Sequence, residues 1–92
     1  MAILVDTAIW PHRQRRWAHL VSDRSFGELH HFADELGLRR VWFQGDHYDI
    51  PAELRHQAIL LGAVPVSSAE LVRRLRASGL RQRSRVTRLP GE

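Results

Sequence analysis

Asp46, His47, Tyr48 and Asp49 are four consecutive side chains able to ligate a metal or to exchange a proton. The apolar run Val41-Trp42-Phe43 and the turn residues Gln44-Gly45 precede them, and Pro51 follows. This pattern places the cluster at the exit of a strand and the start of a helix, where ligands bind in open α/β sheets. Other candidates also fall at the ends of expected elements: Asp6 closes the apolar stretch Ala2-Ile3-Leu4-Val5, and His19 and Asp23 precede a helix. The chain has six histidines and no cysteine, so a metal would meet imidazole and carboxylate rather than thiolate. That donor set suits Zn²⁺, Mn²⁺ or Fe²⁺. Such an ion activates water or neutralises a phosphate oxygen.

Roles follow from residue type. His47 or His19 serves as general acid or base, and Asp6 or Asp49 orients it or holds a metal. The expected metal ligands are His19, His47, Asp6 and Asp46. Asp23, His30, Gln44, Asp46 and Tyr48 are the expected ligand-binding residues. Each also has a plainer reading. Asp49 or Asp23 caps a helix, Tyr48 is a core residue whose hydroxyl finds one partner, and Gln44-Gly45 is a turn. His30, beside Leu29, is a hydrogen-bonded histidine at the edge of an apolar helix face, while His31 and Asp34 face solvent. A single capping role explains only one residue of the cluster. No H-E-x-x-H, P-loop, G-x-G-x-x-G or G-x-S-x-G motif is present.

Charge supplies a competing reading. All 14 basic residues are Arg, a bias that a GC-rich genome explains. Residues 1–66 are close to neutral, whereas residues 67–92 carry seven Arg against two acids. An Arg-rich end suits phosphate or nucleic acid. Under this reading Arg73, Arg74, Arg76 and Arg81 bind nucleic acid without catalysis. Arg13, Arg15 and Arg16 interleave with Trp10 and Trp17 as a loop able to bind phosphate and stack a base, or the tryptophans are core. A third reading is a structural or interaction role through the sheet edge at Val64-Val66, against which Pro65 argues.

The elements that position these groups fit one small domain of 92 residues. Ala2–Val5 reads as a buried strand and residues 7–19 as irregular, with a second short strand near Trp17–Val21. Ser25-Phe26-Gly27-Glu28 is a capping box. It opens a helix whose apolar face is Phe26, Leu29, Phe32, Ala33 and Leu36, stopped by Gly37. Val41–Phe43 reads as a strand. Pro51 opens a second helix with Leu54, Ala58 and Leu61 inward and Gly62 at its end. Ala63–Val66 is an edge strand. Ser67–Glu70 is a second capping box, opening a helix buried through Leu71, Val72 and Leu75 and stopped at Gly79. Alternating strands and helices imply an α/β fold with a short, mostly parallel sheet of three to four strands and three helices. The domain spans residues 1–80, with residues 81–92 as an Arg-rich flexible tail. No apolar run approaches a membrane span, the N-terminus lacks a signal-peptide pattern, and a cytoplasmic protein is expected.

Several strings resemble one known family: Met1–Asp6, Trp17–Asp23, Glu28-Leu29-His30, Phe43–Asp49 and Gly62–Val66. The chain is similar over about residues 1–80 to domain-of-unknown-function family 4031, a group of short proteins from actinobacteria and their phages. The resemblance implies a small α/β fold and no particular activity. It implies site positions at Asp6, His19, Asp23, His30, His47, Tyr48 and Asp49, and sets aside His12, His31 and His56.

Overall fold

The computed structural model describes residues 2–7, 10–12 and 15–81. Along the chain these form β1 (Ile3–Val5), β2 (Trp10–His12), β3 (Arg15–Ser22), α1 (Phe26–Leu36), a 3₁₀ turn (Arg40–Trp42), β4 (Tyr48–Pro51), α2 (Ala52–Leu60), β5 (Val64–Pro65) and α3 (Ser68–Ser78). β3 is the spine of the single sheet. Its residues 20–22 pair with β1 and its residues 15–17 with β2 along one edge. Residues 17–20 pair with β4 along the other.

The sheet is mixed, not mostly parallel. The pairings of β3 with β1, β2 and β4 are antiparallel, and only β1 with β5 is parallel. The chain leaves β3, crosses through α1 and returns beside the same strand in the opposite direction, so the strand–helix order did not produce a parallel crossover. The stretch expected to be irregular contains β2 and the first residues of β3, whose remainder is the short strand expected near Trp17–Val21. The expected strand Val41–Phe43 is instead a 3₁₀ turn ending at an extended Phe43, with Val41 73% and Trp42 45% exposed. The true strand begins at Tyr48, inside the polar cluster. Residues 82–92 and Arg13 lie outside the described residues.

Alternation along the strands sorts the side chains into two layers. On one face Ile3, Val5, Ala18, Leu20, Tyr48 and Ile50 pack with Leu29, Phe32 and Ala33 of α1 and Ala58 of α2. On the other, Leu4 and Val21 pack with Leu71 and Leu75 of α3, joined by Leu80. The α1 and α3 boundaries follow the expected chemistry. Ser25 Oγ accepts from Glu28 N–H at 3.0 Å and Ser67 Oγ accepts from Glu70 N–H at 3.0 Å. Gly37 (φ 90°) and Gly79 (φ 83°) take the left-handed C-terminal position that other residues adopt only with strain. The Glu28 carboxylate does not return to its cap; it accepts from Ser22 Oγ, which in turn accepts from Ser25 N–H. α2 lacks a side-chain cap, and Leu61, expected inward, is exposed at its C-terminal end.

Candidate metal centre

Strand register builds the centre. On β3, Ala18 and Leu20 face the α1/α2 core, so His19 between them faces the α3 side. Asp49 is the register partner of His19 across one edge. Asp6, directly after β1, flanks His19 across the other edge and donates its N–H to the His19 carbonyl. His47 and Asp49 are two apart around buried Tyr48, the spacing that puts alternate strand residues on one face.

Asp6 is 1% exposed. Its Oδ1 accepts the His19 backbone N–H at 2.7 Å, and its Oδ2 lies 2.8 Å from His19 Nδ1 and accepts from Ser68 Oγ at 3.0 Å. Burial alone would raise this carboxyl, but the bonds from His19 and Ser68 more than offset it and hold Asp6 below the ordinary carboxylate range. Asp46 repeats the arrangement at the other end. Its Oδ1 is 2.7 Å from His47 Nδ1, and Arg81 donates Nε to its Oδ2 at 2.7 Å. Burial again opposes ionisation, and Arg81 and His47 overcome it, so Asp46 is also lowered. His47 is raised: burial would lower it, but the carboxylates Asp49 and Asp46 more than compensate.

A carboxylate can only accept, so each Nδ1 carries a hydrogen, and Nε2 is the nitrogen that a neutral ring offers to a metal. Asp49 Oδ1 lies 3.2 Å from His47 Nε2 and 3.9 Å from His19 Nε2. That oxygen is buried and has no aligned hydrogen-bond partner. One ligand atom each from His19, His47 and Asp49 falls within 4.8 Å of the others. Metal–ligand bonds of about 2.0–2.1 Å at tetrahedral or octahedral angles need separations of about 3.0–3.4 Å. The Asp49–His47 separation falls in that range, and the Asp49–His19 separation exceeds it.

The expected residues thus divide. Asp6, His19, Asp46, His47 and Asp49 converge. Asp49, rather than Asp6 or Asp46, places a carboxylate oxygen beside both Nε2 atoms, while Asp6 and Asp46 contact the Nδ1 atoms. His30 and Tyr48 meet on the opposite face of the sheet, His30 Nδ1 lying 2.9 Å from the Tyr48 hydroxyl with Phe43 packed against both rings. Burial lowers His30 and raises Tyr48. Asp23 accepts from Ala2 N–H and Arg74, away from the five converging groups. Gln44 is exposed, and its backbone N–H closes the turn onto the His47 carbonyl at 2.7 Å.

Of the four arginines expected to bind nucleic acid, Arg76 is exposed and the other three are paired within the fold. Arg74 and Arg81 face inward on Asp23 and Asp46, and Arg73 pairs with Glu70 on its own helix. Sequence reasoning missed Ser68 and Arg55. Arg55 donates Nε to the Asp6 carbonyl oxygen at 2.7 Å, across 49 residues of sequence, a contact without local signal. The contacts run in a row, Ser68–Asp6–His19–Asp49–His47–Asp46–Arg81, and so tie both ends of α3 to the centre.

The family described as "protein of unknown function (DUF4031)" matches residues 3–78. No curated protein and no solved structure matches.

Proposed function

The chain belongs to that family of unknown function, and we propose that it holds one divalent ion on His19, His47 and Asp49 to activate water against a phosphate-bearing ligand. The observation carrying this reading is the buried Asp49 oxygen, which has no well-aligned hydrogen bond and lies 3.2 Å from His47 Nε2 and 3.9 Å from His19 Nε2, between two imidazoles whose Nδ1 atoms are held by carboxylates. Buried carboxylate oxygens otherwise find partners. Two histidines and one carboxylate suit Zn²⁺, Mn²⁺ or Fe²⁺ and leave coordination positions for water and ligand.

The chemistry is hydrolytic and needs no oxidant. An ion held by His19, His47 and Asp49 would supply Lewis acidity, making a water deprotonate to solvent near neutral pH. The water oxygen bonds to phosphorus, the bond from phosphorus to the ester oxygen breaks, and the departing oxygen takes a proton from solvent. Arg55 engages the Asp6 carbonyl through Nε alone, and its terminal nitrogens have no partner among the described residues. They suit a phosphate oxygen approaching from that side. Among the described residues no helix is long and apolar enough to cross a membrane. We place the protein in the cytoplasm of an actinobacterium or its phage-infected cell, following the resemblance and the absence of cysteine.

The test is elemental analysis of untagged protein purified without chelator, with His47→Ala alongside. Near-stoichiometric Zn, Mn or Fe that vanishes in the variant supports the centre, and the loaded protein is then assayed with bis(p-nitrophenyl) phosphate. No metal in the wild type, even after reloading with Zn²⁺ and Mn²⁺, removes it.

A further inference from the structure

We infer that the phosphate-bearing ligand carries a nucleobase, which stacks on Trp42 in the turn beside the metal centre. This rests on the metal reading above. The starting observation is an exposed aromatic group. Val41 is 73% and Trp42 45% exposed, in the 3₁₀ turn that leads into the polar cluster. An indole face left in water is a cost that a stacked planar group recovers. A short hairpin joins this turn to the centre. Phe43 bridges Tyr48, and Gln44 donates its N–H to the His47 carbonyl at 2.7 Å. Gln44 therefore stands opposite His47, on the same face. The same register, carried one residue past Phe43, sets Trp42 opposite Asp49, where the 3₁₀ turn ends the pairing. Through the bridge, the Trp42 Cα lies no more than about 13 Å from the Cα atoms of both His47 and Asp49.

The turn offers each part of a nucleotide a matching group. Arg39 is exposed and its guanidinium has no partner among the described residues, so it is available to a phosphate oxygen. Arg40, also exposed, interacts with the Tyr48 hydroxyl. Trp42 supplies a flat surface on which any base can stack. Gln44, expected from the sequence to bind ligand, is exposed and presents a carboxamide donor and acceptor to a base edge. No Asp or Glu occurs from residue 36 to residue 45, so nothing within the turn repels phosphate. Each nucleotide of a stacked strand advances about 3.4 Å, so about four nucleotides at most separate a base on Trp42 from a phosphodiester at the centre. Two apolar side chains in one short turn give a bilayer little to accept. A protein anchor would sit in a desolvated ring of neutral contacts, whereas Trp42 shares its turn with two arginines and a glutamine.

The test titrates full-length, Zn²⁺-loaded protein in the cold with a labelled single-stranded oligodeoxyadenylate, an abasic strand of equal length and the dinucleotide dApdA. Metal content, thermal melts and binding anisotropy are measured on the same samples. Trp42→Ala should weaken the oligodeoxyadenylate by about 5- to 150-fold, the worth of one stacked base. Trp42→Phe should recover most of that loss. The abasic strand should bind wild type and Trp42→Ala alike, and both variants should keep their metal and their melting temperature. Trp42-dependent binding of dApdA as tight as that of the longer strand identifies a small nucleotide ligand, and tighter binding of the longer strand a polymer; both support the stacked base. Metal bound normally with oligodeoxyadenylate affinity unchanged in Trp42→Ala overturns this inference alone. So does an abasic strand bound as tightly as the adenine strand, or Trp42-dependent binding to phosphatidylserine vesicles in place of either. No metal in any sample overturns the centre and this inference together.

Discussion

Asp46→Asn separates orientation of a metal ligand from stability of the fold. The amide keeps the shape of the side chain but loses the charge that holds His47 Nδ1 at 2.7 Å and receives Arg81 at 2.7 Å. Removing such a carboxylate behind a metal-binding histidine weakens metal affinity by about 10–100-fold, or about 1.4–2.7 kcal/mol. Protons act in the opposite direction. Asp46 is one of the two carboxylates that raise His47, so in the wild type protons compete with metal up to a higher pH than for an ordinary histidine. In the variant that competition begins lower. The affinity loss should be full at alkaline pH, where the imidazole is neutral in both proteins, and shrink as pH falls through the raised His47 pKa. Apo stability should fall by no more than about 1 kcal/mol, because the surviving Arg81 is partly exposed and can be hydrated. Zinc titration against a chromophoric chelator across this range measures the difference. Equal affinities at the alkaline end, or a loss that grows as pH falls, would refute the reasoning.

Zinc at 100 times its Kd should stabilise the native state by about 2.7 kcal/mol and raise Tm by roughly 10–20 °C for a domain of this size, an increase that chelator and His19→Ala both abolish in thermal melts. Asp6 has a folded pKa below its unfolded one, so its contribution is complete above about pH 4 and lost as pH falls through the depressed folded value. Urea midpoints of wild type and Asp6→Asn should therefore differ at neutral pH and converge in acid. Tyr48→Phe removes a buried hydroxyl that bonds His30 on the far face of the sheet. It should cost about 1 kcal/mol in urea unfolding and leave zinc affinity unchanged, although Tyr48 lies between two residues of the centre.

Local signals were legible in the sequence, and long-range ones were not. Ser25, Gly37, Ser67 and Gly79 mark the ends of α1 and α3 because capping is decided within a few residues. Val41-Trp42-Phe43 misled because a short apolar run is consistent with a strand, and tertiary context instead made it an exposed turn. That error moved the polar cluster into a loop and hid the pattern of β4. His47-x-Asp49 is an alternating pair that shares a face only if the segment is extended. Strand direction was misread for a related reason: a helix between two strands does not by itself determine whether they run parallel. The polar set Asp6, His19, Asp46, His47 and Asp49 could be chosen from type and position. Which members meet at the Nε2 atoms and which contact the Nδ1 atoms depended on pairing across β3.

The alternation that exposes Asp49 to the centre and sinks Tyr48 into the core also guards against misassembly. Suppose β4 slipped by one residue along β3. Every side chain of β4 would exchange layers, pushing the Asp49 carboxylate among Leu20, Leu29 and Ala58 and leaving Tyr48 and Ile50 outside. Burying a carboxylate there without partners costs several kcal/mol, comparable to the whole stability of a small domain. The acids and histidines of the centre thus act as an alignment key, penalising the mispaired sheet before any ion or ligand arrives.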